Sequence, residues 1–195
     1  MDEFNYIIKD LLENDKVNEM KIYMQHCNTS CFEHSYNVSY ICYKICKKFN
    51  FDYVSASRGA MLHDFFLYDW RKNKKFNFHA YKHGKIAYNN AIKEFKLNEI
   101  EKNMILRHMW PVTIVPPKYK EGFVLTLADK WCATKEIVTF MFDIIRNNPI
   151  IQYVYLFYIF IFKNFSLIIS FIVFSLSKTS SIISFKFLLV IVLFE

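Results

Sequence analysis

SASRGAMLHD, residues 55–64, ends on an adjacent imidazole and carboxylate, His63 and Asp64. Ser55 is a good helix N-cap, and Ala56, Ala60 and His63 align at steps of four and three. The stretch therefore predicts a helix from Ser55 to His63 with a histidine on its apolar face. The same pattern recurs on both sides. Upstream, the spacing predicts a helix from Ser30 or Cys31 to Lys48, with His34, Val38, Ile41 and Ile45 on one face. Before it come a short amphipathic helix, Asp2 to Glu13, carrying Phe4, Ile7, Ile8 and Leu11, and a second from Lys16 to Met24. Downstream, Phe65 to Lys82 shows no clear period and reads as a loop rich in aromatics and lysine. Gly84 to Phe95 and Asn98 to Met109 read as helices. In the latter Asn98 is the cap, and Ile100, Met104 and His108 stack at steps of four. Pro111, Pro116 and Pro117 force a loop. Glu121 to about Arg146 is the last helix, with Leu125, Asp129, Cys132, Ala133 and Glu136 on one face.

Composition points the same way. The chain has 195 residues, enough for one domain with a real core, but only 3 glycines and 4 prolines. So few turn-formers argue against a sheet-rich fold, and an all-α bundle is expected. The formal charge of +7 suits an anionic partner. The clearest basic cluster is Arg71 to Lys75, with Lys82 and Lys85 nearby. It reads either as a solvated loop or as an attractor of phosphate. Nothing resembles a nucleic-acid-binding signature, so no nucleic-acid partner is expected. The start, Met1-Asp2-Glu3, is acidic and no apolar leader follows, so a cytoplasmic location is expected. The cysteines number 5, an odd count for a disulfide framework, and a reducing compartment disfavours such bonds. Cys27 and Cys31, like Cys42 and Cys46, are four apart, not the spacing of zinc knuckles. They read as small buried hydrophobes.

The chemistry lies in polar residues on inward faces. His34, His63, His108 and Asp129 each fall on the apolar stripe of their own helix. A buried carboxylate is costly unless a cation or strong donors meet it. Any one such histidine reads most simply as a satisfied core residue, but a whole set does not. Imidazole and carboxylate are the ligand types that suit iron, manganese, zinc and similar divalent metals, and helix bundles build such sites in their cores.

These residues resemble the HD superfamily of metal-dependent phosphohydrolases. His34, His63-Asp64 and Asp129 match its H…HD…D signature. Glu33 to Val38 is similar to the first-ligand helix, Gly59 to Asp64 to the central motif, and Leu127 to Lys130 to the terminal aspartate motif. His83-Gly84-Lys85-Ile86-Ala87 and Arg107-His108-Met109-Trp110-Pro111 match the extra histidines of binuclear members, among them the symmetrical dinucleoside-tetraphosphate hydrolases. The resemblance covers roughly residues 20–138. It implies an HD-domain helical bundle and divalent ions, iron or manganese, one or two per chain. His34, His63, Asp64 and Asp129 would hold the first, and Asp64 would bridge to a second completed by His83 and His108. His63 and Asp64 would be the catalytic pair. The implied partner is a small phosphorylated substrate, a nucleotide or similar compound, hydrolysed by a metal-activated hydroxide.

Other positions are left open. His79 competes with His83, although Gly84 favours the latter. His26 and Glu136 are candidates to support the ligands. Lys130, Arg107 and Lys85 are the candidate substrate contacts, with Lys82 and Arg71 behind them, and each reads equally as a surface cation. Tyr68-Asp69-Trp70 shapes the loop above the site, where its aromatics either pack or stack on a base. A non-catalytic nucleotide-binding module, and an oxygenase using the same metals, are the rival readings.

A boundary is expected at Asn147-Asn148-Pro149, giving an HD domain over 1–149 and a hydrophobic tail over 150–195. Beyond Pro149 the only charged residues are Lys163, Lys178, Lys186 and Glu195, and Gly, Ala, Arg, Asp and His are absent. Val154 to Leu176 is long enough to span a bilayer, though Lys163 interrupts it, so membrane attachment is one expectation. The other is that the tail is no selected structure, but the product of a shifted frame or AT-rich coding sequence.

Overall fold

The computed structural model describes residues 2–70, 79–161 and 163. The chain divides into two compact units, Met1–Met141 and Phe142–Glu195. The architecture is all-α. The only sheet among the described residues is a two-stranded antiparallel hairpin, β1 (Met24–His26) with β2 (Thr29–Ser30).

The amino-terminal helix breaks at Ile8, where φ is −104° and ψ is 14°, into α1 (Glu3–Ile7) and α2 (Lys9–Leu12). Asp2 caps it, accepting from Asn5 N at 2.9 Å. The expected helix from Lys16 to Met24 is corrected. It is α3 (Asp15–Glu19) and a 3-10 turn (Met20–Ile22), after which Tyr23 is extended and Met24 enters β1. Cys31 N donates to Tyr23 O at 2.7 Å, so strand pairing takes the backbone groups a longer helix would have used.

α4 (Cys31–Lys48) starts where expected. Ser30 Oγ accepts from Glu33 N at 3.2 Å, and Glu33 accepts in return from Ser30 N, closing a capping box. The helix ends on Asn50, at φ 53°, with Asn50 N donating to Lys47 O and Phe51 N to Cys46 O. This Schellman stop uses the residue type after glycine that best tolerates left-handed backbone. The buried face is displaced from the expected one. Cys42 and Cys46 are fully buried, while Ile41 and Ile45 are only partly so. The thiols serve as small core residues, and all five cysteines are free.

α5 (Tyr53–Met61) is the central helix, packed between α4 and α7 (Glu99–Arg107). Its inward residues are small: Ser55, Ala56, Ser57, Gly59 and Ala60. A Cβ on Gly59 would lie 3.1 Å from Met104 Sδ and 3.3 Å from Glu101 Cα, so glycine permits the close crossing. The cap is corrected from Ser55 to Asp52, whose carboxylate accepts from both Ser55 N (2.9 Å) and Ser55 Oγ (2.5 Å). Arg58, on the same helix, ties three elements together. It reaches Asp10 through both terminal nitrogens and Glu101 through Nε, at 3.2 Å.

α6 (His79–Glu94) begins five residues before the expected Gly84, and α8 (Lys120–Asn147) runs to the expected end. Two apolar clusters form the core. One joins Phe4, Ile8, Leu11, Met61, Leu62, Phe65 and Ile105; the other joins Val38, Cys42, Ala56, Met104, Leu125 and Cys132.

α7 illustrates how local signals hold the bundle. Asn98 Oδ1 accepts from Glu101 N at 2.9 Å, Glu101 closes the box on Asn98 N, and Asn98 Nδ2 donates to Ser55 Oγ at 2.8 Å. Asn98→Ala removes the two bonds made by its side chain and leaves the backbone bond to Glu101, and a loss of about 1–2 kcal/mol is expected, read from the urea midpoint of the full-length protein. An unchanged midpoint contradicts this account of the cap.

In the second unit, residues 149–161 are helical, with Tyr153, Leu156, Phe157 and Phe160 exposed. Among the described residues no helix is long and apolar enough to cross a membrane. Most of 154–176 lies outside the described residues, as do Lys178 and Lys186.

Candidate metal centre

The bundle brings six polar side chains to one place. His34 sits in the first turn of α4, His63 and Asp64 just past the end of α5, and His83 on α6. His108 caps the end of α7, and Asp129 lies on α8. All are buried; Asp129 is the most exposed, at 9%.

Each histidine's position dictates how its ring is held. His63 and His108 follow helix ends, where backbone carbonyls lack the helical partner four residues on. His63 Nδ1 donates to Ala60 O at 2.6 Å, and His108 Nδ1 to Ile105 O at 2.9 Å. Both rings therefore present Nε2, with its lone pair, to the interior. His34 presents Nε2 as well, 3.1 Å from Asp129 Oδ1, while its Nδ1 faces Glu136.

The ligating atoms form three groups: His34–His63–Asp129 and Asp64–His83–His108, both buried, and the half-buried His26–His34–Glu136. Within each, one ligating atom per residue lies within 4.8 Å of the others. Asp64 joins the first two. Its Oδ2 is 3.3 Å from His63 Nε2, and its Oδ1 is 3.3 Å from His83 Nε2 and 3.7 Å from His108 Nε2. The His83 and His108 Nε2 atoms are 2.7 Å apart. Two nitrogens about 2 Å from one ion and at right angles would be separated by about 3 Å.

The donor set fits a divalent cation. His63 Nε2 and Asp64 Oδ1 are buried without a hydrogen-bond partner among the described residues, though each lies within ion-pair distance of its neighbours. Orphaned buried groups are costly, and these two are a lone pair and a carboxylate oxygen facing the same interior. A cation satisfies both.

In the metal-free chain, protons take over that task. Burial disfavours the charged form of His34, but hydrogen bonds to Asp129 and Glu136 outweigh it and push the ring up to about 9. Burial opposes charge on His63 too, yet the neighbouring Asp64 and Asp129 hold it well above the usual range. Burial would raise Asp64 and Asp129, but the facing histidines hold both carboxyls well below the usual range. His108 goes the other way, to about 3, through burial and the charges of His83 and His63.

Two supports were not foreseen from the sequence. The Gln25 amide nitrogen donates to Asp64 Oδ2, and Cys31 Sγ donates to the Asp64 carbonyl at 3.1 Å. Gln25 reaches Asp64 only because β1 replaces the expected helix. Gly84, beside His83, is also constrained. A Cβ there would meet Ile105 O at 3.0 Å and His108 Cε1 at 3.4 Å, so α6 and α7 approach closely where they supply ligands. Tyr68 lies near enough that burial and the Asp64 charge push its hydroxyl up to about 12.

The remaining candidates separate. Lys130 Nζ lies 3.9 Å from Asp129 Oδ2. Lys85 and Arg107 line a different cleft of about 240 Å³, shared with Tyr81, Gly84, Leu106, Met109 and Thr113, and none of the six clustered residues lines it. Lys82 is exposed, and the His26 ring is 5.2 Å from that of His34. Arg71 and the His79 side chain lie outside the described residues.

A helical bundle that buries four histidines and two aspartates in one cluster is the architecture of a histidine–carboxylate metal protein. The HD domain profile matches residues 31–134, more than half of the chain, and the protein belongs to the HD-domain family, a superfamily of metal-dependent phosphohydrolases. No curated protein and no solved structure matches the chain.

Proposed function

We propose that this protein is a metal-dependent phosphohydrolase acting on a nucleotide or other small phosphorylated compound. His34, His63, Asp64 and Asp129 hold one divalent ion, iron or manganese. His83 and His108 hold a second, with Asp64 shared between them. This six-residue set supports the binuclear branch of the family, which includes symmetrical dinucleoside-tetraphosphate hydrolases. The observation that carries the reading is the convergence of two anchored histidines, His63 and His108, Nε2 inward, on Asp64, whose Oδ1 has no hydrogen bond, with His34 Nε2 meeting Asp129 beside them.

Bound paired cations lower the pKa of water enough to supply hydroxide at neutral pH and neutralise phosphoryl oxygens. The chain's part is to fix that geometry. Ala60 O and Ile105 O lock two imidazoles, while Gln25 and Cys31 hold Asp64. Lys130, whose Nζ is 3.9 Å from Asp129 Oδ2, would meet a substrate phosphate. Lys85 and Arg107, in their separate cleft, suit a more distant anionic group.

Full-length protein supplied with Mn2+ or Fe2+ is expected to bind about two equivalents per chain. It is also expected to release phosphate or split phosphoanhydrides from a nucleotide panel. Absence of metal by elemental analysis, or nucleotide binding that needs no metal and gives no turnover, overturns the proposal.

A further inference from the structure

His34 differs from the other anchored histidines in what holds it. His63 and His108 each use the carbonyl three residues back, in the last turn of a helix, where Ala60 O also accepts from His63 N. His34 is the fourth residue of α4, where the preceding carbonyls already accept helical N–H groups. A ring in that position needs an acceptor from elsewhere. Glu136 meets it, with both Oε1 and Oε2 at 3.1 Å from His34 Nδ1.

Glu136 stands seven residues beyond Asp129 on α8, two turns along the same face. One helix thus grips both nitrogens of one ring, Asp129 at Nε2 and Glu136 at Nδ1. A neutral imidazole carries a single N–H. With the hydrogen on Nδ1, Glu136 accepts it, and the Nε2 lone pair is directed at the point where Asp129 and His63 converge. With the hydrogen on Nε2, a lone pair would face the Glu136 carboxylate and Nε2 could ligate nothing.

We infer that Glu136 is a positioning residue for the metal centre: it selects the His34 tautomer and orientation that expose Nε2 as a ligand. It stands where the backbone carbonyls stand for His63 and His108. Carboxylates that accept from the far nitrogen of a ligating histidine also make it a stronger donor. The inference rests on the metal-centre reading above and adds to it a residue outside the ligand set.

The test is Mn2+ affinity of the full-length protein, measured by competition with a chromophoric chelator for wild type, Glu136→Gln and Glu136→Ala. Glu136→Ala leaves Nδ1 without its acceptor, and affinity is expected to fall roughly 10–100-fold. Glu136→Gln retains an amide oxygen that accepts the same hydrogen, and its affinity is expected between the other two. The melting temperature of each metal-free variant, recorded alongside, reports the purely structural role. Wild-type affinity in Glu136→Ala, with or without a lower melting temperature, overturns the inference and leaves the metal centre standing. So does a Glu136→Gln that binds no better than Glu136→Ala. Wild type that binds no Mn2+ overturns the metal centre itself, and this inference with it.

Discussion

Asp64→Asn is expected to cost at least the roughly 10²–10³-fold in turnover that follows loss of one strong electrostatic stabiliser. Bound metal should fall with it. The magnitude follows from what Asp64 touches. Its two oxygens face different histidine groups, Oδ2 towards His63 and Oδ1 towards His83 and His108. Asparagine preserves the shape but replaces one oxygen by an N–H donor, which points a positive dipole where a cation is required. The change leaves the Cys31 contact intact, because that bond uses the Asp64 backbone carbonyl. The fold should therefore survive, and its far-ultraviolet circular dichroism should match wild type. Ligand binding to the native state also stabilises it, by about 2.7 kcal/mol when metal is at a hundred times its dissociation constant. Wild type should gain such an increment on adding Mn2+, and Asp64→Asn should gain little or none. A variant that turns over normally, or keeps the full Mn2+ increment, contradicts the role assigned to Asp64.

The parts of this fold that were legible in the sequence are those set by local chemistry. Ser30 with Glu33 and Asn98 with Glu101 are reciprocal caps, and α4 and α7 begin where those pairs place them. The prolines after His108 stop α7 as their backbone requires. Local chemistry also misled at α5. Ser55 is a capping residue by type, but Asp52 sits three positions earlier and its carboxylate takes the Ser55 N–H. What was not legible depends on distant partners. Residues 16–24 carry a helical pattern, yet Tyr23 O is claimed by Cys31 N, and the chain turns into a hairpin. That hairpin is what brings Gln25 to Asp64. The rotation of α4, burying Cys42 and Cys46 over Ile41 and Ile45, likewise follows from its neighbour. α5 offers a surface of alanine, serine and glycine, and a thiol fits so close an approach better than a branched side chain. The convergence of the six ligand candidates was readable for a different reason. Four of them, His34, His63, His108 and Asp129, are polar residues on faces otherwise apolar, and such residues must find one another or a cation when buried; Asp64 and His83 came from the family resemblance. How their rings are anchored was not readable, since that depends on where helices end.

The second large effect is an opposite response of the metal-free and metal-loaded protein to alkaline pH. His34 is raised from its ordinary 6.5 to about 9 in the folded, metal-free chain by Asp129 and Glu136, against the opposing effect of burial. A base raised on folding stabilises the native state below its unfolded value, and that stabilisation is lost as pH climbs through the folded value. For His34 this is on the order of 3 kcal/mol, lost between about 6.5 and 9. His63 is raised as well, so its contribution has the same sign. On the acid side His108, pushed down to about 3 by burial and its histidine neighbours, resists protonation in the fold and costs stability as pH falls below about 6.5. Asp64 and Asp129, both lowered, lose their contribution at still lower pH. The metal-free protein should therefore be most stable near neutrality and weaken steadily towards pH 9. Metal binding reverses the alkaline limb. Cations require His34 and His63 as neutral ligands, so binding releases the protons those rings held. Affinity should rise by up to about tenfold per pH unit for each proton displaced, across the same interval in which the metal-free form weakens. Melting temperatures with excess Mn2+ and with a chelator should accordingly diverge from pH 6.5 to 9. A constant separation across that range would mean that no proton leaves the cluster when metal enters, and His34 would then be no ligand.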